Sequence, residues 1–130
     1  MNTALISLGA NTPDKQEILS TVIKEIALYA HIKAQTPIYH TAAEGSITQA
    51  APYANALLII ETENDYATLH RSFKEREQRA GRTAQSKIDG IVPLDIDIVK
   101  WNDKILKERD MEFEFMKSGL ALLNNRKIAK

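Results

Sequence analysis

Two aspartates at alternate positions of an apolar segment are the feature of this chain best suited to chemistry. The segment reads Pro93-Leu94-Asp95-Ile96-Asp97-Ile98-Val99. Side chains alternate between the faces of a strand, so Asp95 and Asp97 would emerge together, roughly 6 to 7 Å apart. Magnesium carrying a polyphosphate would satisfy two such carboxylates, because this ion binds one or two of them and takes its other ligands from phosphate. The simpler alternative is a strand with one solvated face, in which both carboxylates only meet water.

The overall charge of the chain indicates neither a nucleic-acid nor a membrane partner. Seventeen Lys and Arg residues balance seventeen Asp and Glu residues over 130 positions, so any anion must be held by a local site. No run approaches the ~20 apolar residues that cross a bilayer, and the chain does not open on a leader pattern. We therefore expect a soluble cytoplasmic protein.

The absence of cysteine removes several classes of site. It excludes disulfides, thiol catalysis and thiolate metal sites. The three histidines, His31, His40 and His70, are scattered without the spacing of metal ligands. We expect each of them to be a surface or structural residue.

The first half of the chain predicts a strand, a helix and two further strands. Residues 3–8 are apolar and run into a small polar stretch, as a strand entering a loop would. Thr12-Pro13-Asp14 gives an N-cap candidate with proline at the first helical position, and apolar residues then recur at helical spacing. Residues 31–41 and 53–62 predict strands, and residues 42–49 predict a loop between them.

The second half predicts a second helix before the aspartate strand and a hairpin after it. The helix would begin at Asn64-Asp65 and end at Gly81. Residues 82–92 show neither helical nor strand periodicity and predict a mobile surface loop. Beyond the aspartates, Asn102-Asp103 predicts a turn and residues 105–115 a returning strand.

This order of elements predicts an α+β fold. Strand, helix, strand, strand, helix, strand is the βαββαβ core of a ferredoxin-like split βαβ sandwich, in which two helices pack on one face of an antiparallel sheet. The hairpin strand and a short helix at about 116–123 would be C-terminal additions. All residues, 1–130, are expected to form one domain with a polar tail at about 124–130.

Four motifs in this order resemble the 6-hydroxymethyl-7,8-dihydropterin pyrophosphokinases of folate biosynthesis. They are Leu8-Gly9-Ala10-Asn11, Tyr39-His40-Thr41, Pro52-Tyr53-Ala54-Asn55, and Gly81-Arg82 followed by Leu94-Asp95-Ile96-Asp97-Ile98. The likeness spans most of residues 3–100. It implies a pyrophosphokinase-like enzyme, a diphosphotransferase that moves the β,γ-diphosphoryl group of ATP to the hydroxymethyl group of a dihydropterin and releases AMP.

The resemblance assigns roles on the phosphate side of such a site. Asp95 and Asp97 would be catalytic ligands of two Mg²⁺ ions that arrive with ATP, and Arg82 would contact the phosphates. Glu77, Arg82 and Ile98 would lie on the nucleotide side. Arg82 could instead be a helix C-terminal cation, and Glu77 and Ile98 could be an ordinary helix residue and an ordinary core residue.

The resemblance also assigns a substrate side. Tyr53 would stack on the pterin, while the amide of Asn55 would donate to and accept from its pyrimidine edge. Backbone groups of Thr41 and Ala42 would complete the contact. As an alternative, Tyr53 could belong to the core or its rim, and Asn55 could cap the start of a strand.

This chain departs from the family pattern at three positions and ends early. Val92 stands where the family has an arginine, Asp89 where an aromatic residue would close over the pterin, and Leu120, after Gly119, where a phenylalanine would stack. The customary C-terminal extension is also missing, so we expect a divergent, C-terminally short member.

The missing arginine has three candidate replacements. Lys74, Arg79 and Lys87 could each supply a positive charge, since lysine also binds phosphate as a point charge.

Two other functions stay open at this point. The chain could be a module that binds a pterin or nucleotide without catalysis, or a ferredoxin-like interaction domain whose strand edges pair with another subunit. The enzyme requires the aspartates to face an open cleft shared with Tyr53 and Asn55, whereas the interaction domain would place that face against a partner.

Overall fold

A six-stranded antiparallel sheet forms the frame of the protein, with helices on both of its faces. The computed structural model describes residues 1–42 and 52–128, without the side chains of Lys87 and of residues 125–128. Its strands are β1 (Asn2–Ala10), β2 (His31–Gln35), β3 (Tyr39–Thr41), β4 (Tyr53–Thr62), β5 (Asp95–Trp101) and β6 (Lys104–Ile105). Its helices are α1 (Lys15–Ile26), α2 (Tyr66–Arg79), α3 (Ala84–Ile88) and α4 (Glu114–Ile128), with a 3₁₀ helix at Glu108–Glu112.

The strand order confirms the predicted ferredoxin-like fold. Across the sheet the order is β2, β4, β1, β5, β6, and β3 also pairs with β4. β1 is therefore central, antiparallel to β4 from Asn2↔Thr62 to Ala10↔Ala54 and antiparallel to β5 as far as Gly9↔Asp95. β2 and β3 together take the place of the single second strand of the core.

Each face of the sheet has its own hydrophobic core. One face packs against α1 and α2 and holds Ile6, Leu58 and Ile96 with Leu19 and Phe73, all at most 1% exposed. We call it the α1/α2 face. The opposite face, the α4 face, buries a smaller group made of Leu57, Val99, Met116 and Leu123. Both faces are apolar over much of their length, so polar residues on either of them require a reason.

The ends of α2 agree with the sequence prediction. The Asp65 side chain accepts a hydrogen bond from the Thr68 N–H at 2.8 Å, as an N-cap does. Gly81 follows the helix at a φ of +103°, a conformation that L side chains rarely adopt. α1 begins later than predicted, because Pro13 precedes the helix and Asp14 is the N-cap residue without a side-chain capping bond.

Three element predictions were wrong in part. The strand predicted at 31–41 is divided into β2 and β3 by residues 36–38, which include Pro37, a residue without an N–H for a ladder. The predicted loop at 82–92 contains α3. The strand predicted at 105–115 is only the two residues of β6 followed by the 3₁₀ helix.

Two further predictions concern the C-terminal helix and a loop. The helix predicted at 116–123 is the longer α4, and it continues into the predicted polar tail as far as residue 128. The loop predicted at 42–49 lies, beyond Ala42, outside the described residues. No helix in the described part of the chain is long and apolar enough to span a membrane.

Candidate active site

Asp95 and Asp97 lie on the α4 face of the sheet, at the start of β5. Ile96 and Ile98, between and after them, are buried in the core on the opposite face. Asp95 pairs with Gly9 of β1, and Asp97 pairs with Ser7. The two carboxyl groups are close enough to share a hydrogen bond when one of them carries a proton, so they converge rather than diverge.

The two carboxyl groups disturb each other electrostatically. Burial, the negative charge of Asp95 and the hydrogen bond to it together raise the pKa of Asp97 to about 7, against the partial opposition of Lys74 and Lys107. The Lys74 ammonium lies 3.9 Å from the Asp97 carboxylate. An additional cation between the two carboxylates would therefore relieve a repulsion that the protein itself leaves in part uncompensated.

Arg82 reaches the same pair from the end of α2. Its backbone N–H bonds to the carbonyl of Glu77 at 3.2 Å, which closes the helix. Its guanidinium donates to the Asp95 carboxylate at 2.7 Å and to the Leu94 carbonyl at 3.2 Å. Arg82 thus ends the helix and also contacts the first aspartate.

Glu77 of α2 contacts both the strand that carries the aspartates and the two cations beside them. Its side chain is buried, and Oε2 accepts the backbone N–H of Ile96 at 2.7 Å. The same oxygen lies 3.2 Å from the Lys74 ammonium and 3.5 Å from the Arg82 guanidinium. Glu77 therefore fixes α2 to β5 and holds both cations beside the aspartates. Its contacts are with the protein, and its side chain has little surface to offer a nucleotide.

Ile98 is 3% exposed and packs in the core of the α1/α2 face. A contact from this residue to a ligand would have to come from its backbone. Its N–H and C=O share the orientation of those of Ile96, which point away from β1 toward Glu77. They therefore lie on the outer edge of β5.

Tyr53 and Asn55 form the other half of the cluster, at the start of β4. Asn55 pairs with Gly9, which pairs in turn with Asp95, so the three residues form one row across the sheet. Two strand spacings separate Asn55 from Asp95, roughly 10 Å. A Cβ on Gly9 would lie in ordinary contact with Tyr53 and Asn55, at 3.6 and 3.7 Å, so the missing side chain leaves a shallow floor between the amide and the carboxylates.

The environment of Tyr53 shows how near it is to the aspartates. Burial raises the pKa of Tyr53, the charge of Asp95 raises it further, and Arg82 lowers it. β3 brings Thr41 opposite Tyr53, and the Asn55 amide donates to the Thr41 hydroxyl at 2.8 Å. Ala42, the next residue, is exposed. All four residues predicted for the substrate side therefore lie at this end of the sheet.

Asn11 holds part of the site in place, a role that no sequence pattern predicted. Its side chain donates to the Gly90 carbonyl at 2.9 Å and accepts the Val92 N–H at 2.6 Å, and its own N–H bonds to the Val92 carbonyl at 2.9 Å. These bonds fasten residues 90–92 to the end of β1. The only signal in the sequence was an asparagine two positions after the strand-ending glycine, Gly9.

The structure shows the contacts of the three residues that depart from the family pattern. Asp89, directly after α3, accepts a hydrogen bond from the Gln85 side chain at 3.0 Å. The Val92 backbone is held by Asn11, and its side chain carries no charge. Leu120 lines a cavity with Leu5 and Leu123 on the α4 face, a cavity whose lining does not include Tyr53 or Asn55.

Of the candidate replacements for the missing arginine, Lys74 lies at the site. Arg79 instead borders a groove between α1 and α2, near Tyr29. The side chain of Lys87 is outside the described part of the chain. Two charged residues near the aspartates were missed altogether: Lys107, and Asp110 of the 3₁₀ helix, whose pKa is raised by burial and by Asp95.

Within residues 1–42 and 52–128, no group of three or more His, Asp or Glu side chains is arranged to enclose a metal ion. The paired aspartates nevertheless fit the manner in which Mg²⁺ is usually bound with a nucleotide, by one or two carboxylates plus phosphate oxygens and water. The ligand set is oxygen only, and its charge is incompletely neutralised. A divalent ion with phosphate is thus compatible with the residues present.

Comparison with known proteins assigns the chain to a family. No individual curated protein matches the chain. Among models of protein families, that of 7,8-dihydro-6-hydroxymethylpterin-pyrophosphokinase matches residues 5–125, nearly the whole sequence. With its sheet order and its aspartate pair on one face, the chain belongs to the 7,8-dihydro-6-hydroxymethylpterin-pyrophosphokinase family.

Proposed function

We propose that this protein transfers diphosphate from ATP to 6-hydroxymethyl-7,8-dihydropterin, a step of folate biosynthesis, and releases AMP. The observation that supports the proposal most directly is the arrangement of two groups on the α4 face. Asp95 and Asp97 lie with Arg82 and Lys74 at one side, and Asn55 lies roughly 10 Å away in the same register row. That separation leaves room for a heterocycle next to a triphosphate.

In the proposed complex, the aspartates would hold Mg²⁺ that arrives with the nucleotide. Such ions neutralise phosphate charge and align the reacting groups. Arg82 and Lys74 would add positive charge next to the phosphates, and Glu77 would position both cations without contacting the nucleotide. The outer backbone edge of β5 at Ile98 would be available to the nucleotide base.

On the substrate side, the ring of Tyr53 would lie against the pterin. Asn55 has one amide N–H bonded to Thr41, and an amide carries a second N–H and an acceptor oxygen that can bind the pyrimidine edge. Backbone groups of Thr41 and Ala42 would lie at the same edge. Gly9 keeps the floor between the two ligands free of side-chain atoms.

The reaction balances without a further reagent. The hydroxymethyl oxygen forms a bond to the β-phosphorus, and the bond from that phosphorus to the oxygen bridging to the α-phosphorus breaks. The bonding electrons leave with AMP, and the hydroxyl proton is released. The protein contributes by positioning the two substrates and by neutralising charge, which are the main sources of catalysis in phosphoryl transfer.

The test is AMP formation from ATP, Mg²⁺ and 6-hydroxymethyl-7,8-dihydropterin. We expect turnover by the wild-type protein and a loss of about 100-fold or more in Asp95→Asn and in Asp97→Asn, as when a charge-stabilising group is removed from a transition state. Asp103→Asn is the matched control, because Asp103 is an exposed carboxylate in the turn after β5. Unchanged turnover in the two site variants would overturn the proposal.

A binding module without catalysis is the second candidate, and Val92 is the observation that favours it. A valine cannot pair with a phosphate, and the loss of a charged contact to a transferring group typically costs a few kcal/mol of transition-state stabilisation. Calorimetric binding of the pterin with no AMP above background would support this candidate. Turnover restored by Val92→Arg would then identify the missing charge as the cause.

A further inference from the structure

The cavity lined by Leu120 lies on the α4 face, at the opposite end of β1 and β4 from the aspartates. Its volume is about 390 Å³, within the range of small-molecule sites. The floor is made by Leu5 of β1 and Ile59 of β4, which pair directly in the sheet. Leu120 and Leu123 of α4 and Met111 form the apolar wall. Leu5 and Ile59 are only partly buried, so α4 leaves the middle of the sheet incompletely covered at this end.

Two lysines border this cavity on opposite sides, Lys33 on β2 and Lys100 on β5. Lys100 pairs with Leu5 and Leu5 with Ile59, and Ile59 pairs in turn with Ala34, the residue directly after Lys33. Three strand spacings separate their backbones, roughly 14 Å. The cavity thus has an apolar centre and a cation at each side.

A β-bulge turns Lys100 toward the cavity. Ile6 pairs with Ile98 but Leu5 pairs with Lys100, so Val99 is an extra residue in β5. With regular alternation Lys100 would share the face of Ile98, whereas the bulge places it on the α4 face beside Val99. A charged side chain is therefore directed to the edge of an apolar space by a specific local irregularity. Lys33 also lies at a bulge, between Ile32 and Ala34 of β2.

The two lysines differ in whether a carboxylate lies near the ammonium group. Lys33 has Glu61 at 3.8 Å, a distant and partly exposed pair. Within the described part of the chain, Lys100 has no carboxylate within ion-pair distance, and no acidic residue lines the cavity. An anionic group entering the cavity would therefore be attracted first to Lys100. A single ammonium matches a monoanion, and the apolar centre matches a hydrocarbon or aromatic body.

We propose that this cavity is a binding site for a small amphiphilic carboxylate, whose apolar body lies on Leu5 and Ile59 and whose carboxylate pairs with Lys100. The site is separate from the proposed pyrophosphokinase centre and does not depend on it, since the aspartates, Tyr53 and Asn55 take no part in its lining. The ligand class is a medium-chain acyl or aromatic monocarboxylate.

The test is a titration of the full chain with octanoate, followed by calorimetry and by NMR of the Leu and Ile methyl groups. We expect saturable binding with shifts at Leu5, Ile59 and Leu123. 1-Octanol should bind more weakly, and octylammonium should not bind. Lys100→Gln should weaken octanoate binding about two- to fivefold, the range of an exposed ion pair, with a smaller effect from Lys33→Gln.

Lys104→Gln is the matched control, because Lys104 is an exposed lysine of β6 that does not line the cavity. Leu120→Phe fills the space without removing charge and should reduce binding more than tenfold, while a cooperative thermal transition shows that it folds. Equal affinity for octanoate and 1-octanol, methyl shifts elsewhere, or no binding would each overturn the proposal. Octanoate binding unaffected by both Lys100→Gln and Leu120→Phe would do so as well.

Discussion

Asp97 shows at the scale of a single residue what the candidate site costs in stability. Its side chain is 18% exposed, and it lies beside a second carboxylate on a strand that is otherwise buried. The protein tolerates this position because Lys74 and Lys107 lower the pKa in part, although burial and Asp95 still raise it to about 7. A carboxylate placed this way destabilises the ligand-free fold when it ionises.

This gives a pH-dependent prediction for Asp97→Asn. The raised pKa means that the folded state holds more protons than the unfolded state between about pH 4 and 7. The contribution of this group to stability is therefore complete below about pH 4 and is lost as the pH rises to about 7, with a slope of at most about 1.4 kcal/mol per pH unit. Asparagine removes that dependence, so the variant should gain stability relative to wild type as the pH rises.

Urea unfolding at pH 4.5 and 7.5 without divalent ions measures the effect of Asp97→Asn. Asp103→Asn, in the exposed turn, should show the wild-type dependence. Parallel stability profiles for wild type and Asp97→Asn would contradict the environment described for the carboxyl group.

At the scale of secondary structure, Glu77 joins α2 to β5. The buried carboxylate takes the Ile96 N–H and two cations at once. Glu77→Gln keeps an acceptor for the N–H but loses the charge shared with Lys74 and Arg82, so we expect a loss of about 1 to 3 kcal/mol in the free energy of unfolding. Glu77→Ala should cost more than Glu77→Gln, because the buried N–H of Ile96 then also loses its acceptor.

Chemical denaturation of the two Glu77 variants tests this connection. Glu75→Gln, on the exposed side of α2, should change stability by less than about 0.5 kcal/mol. If Glu77→Gln and Glu75→Gln were equally mild, Glu77 would not be the link between the helix and the strand.

The attachment of α4 depends on a glycine. The Tyr39 hydroxyl donates to the Phe115 carbonyl at 2.6 Å, and a Cβ on Gly119 would collide with that hydroxyl and with Leu57. Gly119→Ala would favour the helix itself by about 1 kcal/mol. We nevertheless expect net destabilisation of about 1 to 2 kcal/mol, because the added methyl group must push α4 from the sheet.

Thermal unfolding monitored by circular dichroism measures the effect of Gly119→Ala. Lys117→Ala, at an exposed position of α4, serves as the control for helix propensity and should be nearly neutral. A stabilised Gly119→Ala variant would show that the helix can move away from β3 and β4 without cost.

At the scale of the whole molecule, the proposed site predicts that a nucleotide stabilises the protein only with a divalent ion. At a ligand concentration about 100 times Kd, binding adds about 2.7 kcal/mol. For a chain of this length that corresponds to a rise in Tm of about 10 °C. We expect this rise with ATP and Mg²⁺, little change with ATP and EDTA, and little change in Asp95→Asn under either condition.

The matched control for this measurement is again Asp103→Asn, which should respond to ATP and Mg²⁺ as the wild type does. An equal shift with EDTA would mean that the nucleotide binds without metal. The aspartates would then need another explanation.

The fold could be predicted from the sequence largely because its elements have strong local signals. β4 was placed correctly because its residues 56–60 form a continuous apolar run, and α2 because Asp65 and Gly81 mark its ends. The segment 105–115 was mistaken for a strand because Met111, Phe113 and Phe115 alternate with charged residues. In the structure Met111 lies within the 3₁₀ helix and the two phenylalanines follow it, and Met111 and Phe115 pack on the α4 face.

The site could be predicted only in part, since its contacts depend on tertiary structure. That Asp95 and Asp97 share a face follows from the period of a strand. The contacts of Arg82 with Asp95 and of Lys74 with Asp97 depend on how α2 lies against β5, which no local pattern specifies. The same holds for Asn11, whose partners are about eighty residues away.

The extra residue at Val99 divides β5 into two parts, and odd-numbered residues face opposite sides of the sheet in the two parts. Before it, odd-numbered positions point to the α4 face; after it, even-numbered Lys100 does, and Trp101 returns to the other side to meet Tyr66 edge-on. Deleting this single residue would exchange the two, forcing an ammonium into the larger core and expelling an indole from it, while Asp95 and Asp97 kept their orientation. The two ends of this strand can therefore change independently in evolution, provided that the β-bulge at Val99 is kept.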